Sequence, residues 1–229
     1  MRRKTSHETI QNFLKQALPG AQLEKNFTEI GRIADVVYFP KKIIYEVQCS
    51  SIDLQEVIKR NRDYKSIGFH VIWILHDRHF NKTFVPPAEL YLRKRGAYYT
   101  SLTPHGYGFF YDQLDFFEGA LRVYKGKPLV LKNFLPTKIS SIPYSYPNFL
   151  KTRLQFHPYS LAGDLTSTLD LREAKRLEKL YTPKPTLKGW FSKHWNALLM
   201  KNAGPDVLPL KHIPLEGENR VEFQGKAPD

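Results

Sequence analysis

Apolar residues fill two neighbouring stretches of the chain, residues 33–39 and 43–49, and a short polar turn at residues 40–42 separates them. Near-continuous apolar runs of this length predict strands that are covered on both faces. The short turn predicts that the two strands pair as a hairpin.

The spacing of apolar residues also predicts helices and strands before and after this hairpin. Residues 6–18 carry apolar residues at helical spacing, with Ser6 as the expected N-cap, and residues 21–30 predict a first strand. A second helix is predicted for residues 53–66, followed by an apolar strand at residues 69–75. A strand–helix–strand unit implies parallel pairing through a right-handed crossover.

The composition of the chain changes after about residue 135. Pro, Ser and Tyr dominate residues 139–160, which predicts loops, and residues 169–180 predict a charged amphipathic helix. Residues 190–199 predict a second, short amphipathic helix. We therefore expect two parts, a domain at residues 1–135 and a mainly helical extension at residues 136–229.

Three polar side chains, Asp35, Glu46 and Gln48, interrupt the apolar hairpin strands. A tight hairpin brings Asp35 opposite Glu46, and the alternation along a strand places Glu46 and Gln48 on one face. Two carboxylates this close repel each other, and a shared Mg²⁺ or Mn²⁺ ion would remove the conflict. The amide of Gln48 could orient a water or a phosphate. The alternative is that Asp35 is a polar residue near the turn and that Glu46 pairs with a lysine.

Further candidate residues lie on the two predicted helices. Glu8 is either a carboxylate favoured by the first helix N-terminus or a third acid directed at the metal. His7 beside it is expected to be an exposed neighbour that could also touch phosphate. Arg60 and Tyr64 share one face of the second helix. They are either an ordinary solvated arginine and a core tyrosine, or they have a functional role in phosphate contact or in support of the acidic strand. The basic residues of this helix that could bind nucleic acid are Lys59, Arg60 and Arg62, with Tyr64 on the same helix.

The charge of the chain favours a polyanionic partner. Its 35 Lys and Arg against 22 Asp and Glu give a net charge of +13, which points to nucleic acid before a membrane surface. The alternative is that the charge only keeps the protein soluble. The single cysteine, Cys49, excludes an internal disulfide and a cysteine zinc ribbon. With no expected signal peptide or membrane span, we predict a cytoplasmic protein.

Four segments of the chain carry a family resemblance. RIADVV (32–37), IIYEVQCS (43–50), KRNRDY (59–64) and VIWIL (71–75) resemble the competence-protein CoiA-like branch of the PD-(D/E)xK nuclease superfamily. The resemblance implies a restriction-endonuclease-like αβββαβ core, with a mixed sheet flanked by helices. It also implies Mg²⁺-dependent cleavage of phosphodiester bonds. The zinc-ribbon lobe that members of this branch can carry is absent, and the part after about Pro136 shows no resemblance.

By position, the resemblance makes Asp35 and Glu46 metal ligands and puts Gln48 in the place usually taken by a motif lysine. Glu8 matches a first-helix acid. With the Val47 carbonyl as an expected extra ligand, we predict a Mg²⁺- or Mn²⁺-dependent nuclease that acts on single- or double-stranded DNA. Two alternatives remain open. One is a DNA-binding module that keeps the fold without activity, and the other is an adaptor that binds a partner through its C-terminal helices.

Overall fold

Seven strands form one mixed sheet in the computed structural model, which describes residues 5–182. The strands of residues 5–182 are β1 (Gln22–Phe27), β2 (Arg32–Tyr38), β3 (Ile43–Gln48), β4 (His70–His76), β5 (Ala97–Thr100), β6 (Phe110–Asp112), β7 (Asp115–Glu118), β8 (Leu121–Lys125), β9 (Leu129–Val130), β10 (Thr137–Lys138) and β11 (Tyr159–Ser160). The main sheet has the order β1-β2-β3-β4-β5-β6-β9, and β7–β8 and β10–β11 form two separate pairs. Only β3–β4 and β4–β5 are parallel in the main sheet; its other neighbours pair antiparallel.

The helices of the described residues are α1 (Ser6–Ala17), α2 (Leu54–Ser66), α3 (Pro87–Arg93), α4 (Asn148–Phe156), α5 (Leu165–Thr168) and α6 (Leu171–Tyr181), and a 3-10 turn lies at Phe39–Lys41. The chain therefore begins α1-β1-β2-β3-α2-β4, which is the predicted αβββαβ order. The predicted fold class, a mixed sheet flanked by helices, is confirmed.

The start of α1 lies one residue earlier than predicted. Thr5, and not Ser6, is the N-cap, and its side chain accepts a hydrogen bond from the backbone N–H of Glu8. Glu8 in turn accepts the backbone N–H of Thr5 at 2.9 Å. This reciprocal pair is a capping box, which satisfies two backbone donors that the helix itself leaves unpaired.

The two faces of the sheet are covered by different helices. One face packs against α1 through a core formed by Ile10, Leu14, Leu18, Val36, Ile43, Tyr45, Val47, Ile72, Ile74 and Tyr98, among others. The other face packs against α2 and α3 through Val57, Tyr64, Ile44, Trp73, Leu75, Leu92 and Tyr99. Strands buried on both sides account for the apolar runs that have no polar alternation.

Residues after the predicted boundary at 135 and 136 share these cores. Tyr159 and Leu161 pack with Phe134 in the α1-side core. Arg153 of α4, a helix inside the stretch predicted as loops, donates to Asp112 Oδ2 of β6 at 2.7 Å. The packing up to residue 182 is therefore continuous across the boundary that composition suggested.

The predicted helix at residues 190–199 lies outside the described residues. Within the part of the chain that the structure describes, no helix combines the length and the apolarity needed to cross a membrane.

Candidate active site

The two acids of the hairpin lie where the β2–β3 ladder ends. Its last pair is Val36 with Tyr45, and one further step along the same register brings Asp35 opposite Glu46. The ladder stops there, and Asp35 Oδ2 accepts the backbone N–H of Val47 at 2.7 Å. The Asp35 carboxylate thus binds the backbone N–H of the residue that follows Glu46, and this hydrogen bond fixes Asp35 beside Glu46.

Residues of α1 hold the other oxygen of Asp35. Gln11 donates its amide N–H to Asp35 Oδ1 at 3.1 Å. His7 Nε2 lies 3.2 Å from the same oxygen, and this hydrogen bond raises the pKa of His7. His7 was expected to be an exposed neighbour; its side chain is 36% exposed, and its contact with Asp35 was not predicted. The spacing of four residues between His7 and Gln11 puts both on one helical face and is the signal that could have found them.

Glu46 is bound from the opposite side of the sheet, by residues of α2. Its side chain is 1% exposed. Tyr64 donates its hydroxyl to Oε1 and Arg60 donates to Oε2, both at 2.8 Å. Burial, with the nearby charge of Asp35, raises the pKa of Glu46 to about 7, although Tyr64 and Arg60 act in the opposite direction. The folded protein therefore holds Glu46 near the balance between its protonated and ionised forms at neutral pH.

A chain of ion pairs holds Arg60 in this position. Arg60 Nε donates to Glu56 at 2.8 Å, and Arg32 at the start of β2 donates to the same Glu56 oxygen at 2.7 Å. Arg32 also donates to Asp63 at 2.7 Å. Of the two roles proposed for Arg60 from the sequence, this geometry favours support of the acidic strand. Arg32 and Glu56 were missed, although Glu56 and Arg60 have the four-residue spacing of a helical ion pair.

The other predicted site residues divide into two groups. The amide of Gln48 donates to the backbone carbonyl of Ser50 at 2.9 Å. Gln48 therefore lies at the end of β3, at the same edge of the sheet as Asp35. Lys59 and Arg62 are exposed on α2 and are available to a polyanion. Glu8 accepts the backbone N–H of Thr5 in the capping box of α1, while Gln11 and His7 of the same helix contact Asp35.

The edge of the sheet beside Asp35 continues to the end of β4. Burial and the charge of Asp35 raise the pKa of Cys49 to about 11, while the charge of Arg78 acts to lower it. Cys49 thus lies close enough to Asp35 and Arg78 for both charges to change its pKa. The side chain of Arg78 is exposed. The thiol of Cys49 stays protonated at neutral pH, which speaks against a nucleophilic role.

The donor set fits a hard divalent cation in part. Among residues 5–182, no three His, Cys, Asp or Glu side chains group together as a metal site. The charge of Asp35 nevertheless acts on Glu46, although α1 holds one carboxylate and α2 holds the other. Mg²⁺ is commonly held by one or two carboxylates that are completed by water and substrate phosphate. Each carboxylate oxygen can accept more than one bond, so the contacts to Arg60, Tyr64 and Gln11 do not exhaust this capacity.

The αβββαβ core and these paired acids are the context for the comparison with protein families. Residues 4–113 match the family model described as "Competence protein CoiA, nuclease-like domain". Residues 4–113 belong to the CoiA nuclease-like family. The predicted family is confirmed for this CoiA nuclease-like domain, which contains α1 through β6 and all the residues of the candidate site. No curated protein and no solved structure matches the chain.

Proposed function

We propose that the protein is a divalent-metal-dependent nuclease that hydrolyses phosphodiester bonds of DNA and serves DNA uptake, recombination or repair. The observation that carries the proposal is that Asp35, at the open end of the β2–β3 ladder of a nuclease-like domain, accepts the backbone N–H of Val47, the residue after Glu46. The basic charge of the chain supports a polyanionic substrate.

Asp35, Glu46 and the carbonyl of Val47 would hold Mg²⁺ or Mn²⁺. Such an ion, when bound, lowers the pKa of a coordinated water and polarises the scissile phosphate. Gln11 and the backbone N–H of Val47 keep the Asp35 carboxylate in a fixed orientation. The amide nitrogen of Gln48 is held by Ser50, so its amide oxygen would orient the attacking water.

The protein's own residues also set the charge at the site. Arg60 and Tyr64 donate to Glu46 and so favour its ionised form, which is the form that binds a cation. Exposed Lys59 and Arg62 of α2 supply phosphate contacts that carry no sequence information.

A second candidate function is a DNA-binding module without catalytic activity. The specific observation that favours it is that both oxygens of Glu46 already have protein donors, Arg60 and Tyr64. In that case the acids would be structural, and DNA affinity would not depend on divalent cations.

Cleavage of supercoiled plasmid with Mg²⁺ or Mn²⁺ separates the two functions. We expect the wild type to cleave, and Asp35→Ala and Glu46→Ala to lose at least about 100-fold in rate, since each removes a charge that holds the ion. The matched control is Glu118→Ala, which removes an exposed carboxylate of β7 and should cleave like the wild type. Binding without cleavage in the wild type favours the inactive module. Cleavage that survives both site substitutions contradicts the nuclease mechanism.

A further inference from the structure

The loop at residues 101–109, which joins β5 to β6, exposes two aromatic rings at one end of the sheet. Tyr107 is 77% exposed and Phe109 is 42% exposed. We call this segment the aromatic loop. Its sequence, SLTPHGYGF, contains no acidic residue.

The backbone of the aromatic loop is held firmly. Thr103 N–H donates to the carbonyl of Tyr107 at 2.8 Å, and Ser101 N–H donates to that of Phe109 at 3.0 Å. Gly108 has a φ of +128°, and a Cβ there would lie 2.6 Å from the backbone oxygen of Ser101, so only glycine fits this close approach. The Tyr107 ring is therefore presented by a fixed turn, which lowers the entropy cost of stacking on it.

The topology puts the aromatic loop on the same edge of the sheet as the candidate active site. Strands β3, β4 and β5 are parallel, so their carboxyl ends lie together, and Asp35 of β2 is bonded to Val47 near that end of β3. Thr9 of α1 donates to the carbonyl of Pro104 at 3.2 Å, while its neighbour Gln11 bonds Asp35. The N-terminal half of α1 thus spans the gap between the loop and Asp35.

The width of that gap suits a short piece of a nucleic-acid strand. Three steps in the strand order separate β2 from β5, and neighbouring strands lie ~4.8 Å apart, which gives about 14 Å. A stacked strand advances ~3.4 Å per nucleotide, so the loop stands about four nucleotides from Asp35.

One arginine and two histidines border this path. Arg78 and His79 after β4, and His105 on the loop itself, are exposed. The nearby acid, Asp77, is engaged by the hydroxyl of Tyr111 at 3.1 Å. Aromatic rings mixed with cations are typical of surfaces that bind single strands, where bases stack on rings and cations meet phosphates.

We propose that the aromatic loop is a binding site for an unpaired base of a single-stranded nucleic acid, with Tyr107 as the stacking platform. This proposal rests on the proposed function, because the proposed function supplies the reason to choose a nucleic acid as the ligand. The loop holds a base about four nucleotides from the phosphate at Asp35, and the substrate is therefore a single strand or an unpaired end. Phe109, the second exposed ring of the aromatic loop, packs against Tyr111 of β6 with ring centroids 5.3 Å apart.

Fluorescence anisotropy with a labelled single-stranded oligonucleotide and a matched duplex, both in EDTA, tests this site without any need for cleavage. We expect Tyr107→Ala to weaken single-strand binding roughly 5- to 100-fold, and Tyr107→Phe to keep it. The control Tyr144→Ala removes another exposed ring, 86% exposed, which already faces Lys151 Nζ at 4.6 Å from its centroid. It should bind like the wild type.

A single 2-aminopurine base moved along the oligonucleotide locates the stacked position. We expect its fluorescence to be quenched at one position in the wild type and not in Tyr107→Ala. Single-strand affinity of Tyr107→Ala equal to that of the wild type, or an equal loss on duplex, overturns the proposal. A wild type that binds no DNA also overturns it and leaves a protein contact as the role of the ring. Failure of plasmid cleavage alone, with Tyr107-dependent binding intact, removes the catalytic function and keeps this site.

Discussion

At the scale of single residues, Glu46 combines deep burial with the negative charge of Asp35, and its pKa rises from an ordinary value of 4.5 to about 7. The folded state therefore binds this proton more tightly than the unfolded chain does. The resulting stability is fully present below about pH 4.5 and is lost as the pH rises through about 7.

Glu46→Gln removes this titration and keeps the shape of the side chain. Between pH 4.5 and 7, the unfolding free energy of the wild type should fall relative to Glu46→Gln by roughly 1–3 kcal/mol. Urea unfolding in EDTA at a series of pH values measures this change. The control Glu118→Gln, at an exposed position of β7, should show none. A difference between wild type and Glu46→Gln that stays constant with pH would contradict the raised pKa.

The candidate acids could be predicted from the sequence because charge inside an apolar strand is conspicuous. Asp35 and Glu46 needed only the alternation and the short turn between their strands. For Arg60 and Tyr64, the sequence left support of the acidic strand open beside other roles and could not decide between them. Glu46 meets Arg60 and Tyr64 only because α2 packs on the face to which Glu46 points, and a strand pattern does not contain the position of a helix.

At the scale of elements, α2 is a support for the site. Its Arg60 joins Glu46 to Glu56, and Arg32 of β2 closes the chain of ion pairs. Arg62, two residues further along, is exposed and lacks this connection to Glu46. The same helix therefore presents one arginine to the acids and another to solvent.

This division predicts different effects for two matched substitutions. Arg60→Gln should lower cleavage at least about 10-fold while the salt dependence of DNA binding stays unchanged, because the lost charge faces Glu46. Arg62→Gln should keep the catalytic rate and reduce the slope of log affinity against log salt by about 0.7–0.9, as expected for one lost phosphate contact. Single-turnover cleavage and titrations at several salt concentrations measure both. Equal changes in the salt slope would contradict the assignment of Arg60.

Element types were predictable where periodicity was strong, as in α1, α2 and β2 to β4. Between residues 139 and 160 the frequent Pro and Ser predicted loops, yet α4 (Asn148–Phe156) forms there. Pro147 stands at its N-cap, where a proline is compatible with the first turn of a helix. Tertiary packing of Leu150 and Leu154 then outweighs the composition of the surrounding segment.

At the scale of the whole molecule, a buried ionic cluster connects α4 to the sheet. Asp112 of β6 is fully buried and accepts from Arg93 at 3.0 Å and from Arg153 at 2.7 Å. The backbone N–H of Leu165 donates to the same carboxylate at 3.2 Å. The paired cations lower the pKa of Asp112 although burial acts to raise it. The Asp112 carboxylate is therefore ionised in the folded protein.

Arg153→Met should destabilise the protein by about 3–5 kcal/mol, because it leaves part of the Asp112 charge buried without its partner. The control is Arg176→Gln, which breaks the exposed pair of Arg176 with Glu173 and should leave the urea midpoint unchanged. Equal midpoints for Arg153→Met and the wild type would contradict the view that residues up to 182 stabilise the nuclease-like domain.

The predicted domain boundary at residues 135 and 136 shows what composition cannot reveal at this scale. A change to Pro, Ser and Tyr indicates irregular backbone, but it does not indicate whether that backbone packs. The contact between Asp112 and Arg153 joins positions 41 residues apart, and either side chain alone looks like an ordinary charged residue. Such pairing becomes visible only when the fold has brought the two together.

The central claim is that Asp35 and Glu46 share one divalent cation, and a crystal soaked in Mn²⁺ tests it most directly. The account predicts an anomalous difference peak within roughly 2–2.5 Å of a carboxylate oxygen of each residue. An Asp35→Asn crystal soaked in the same way should lack the peak. A fully soaked wild-type crystal without a peak between these acids, in which Glu46 accepts only from Arg60 and Tyr64, would contradict the claim.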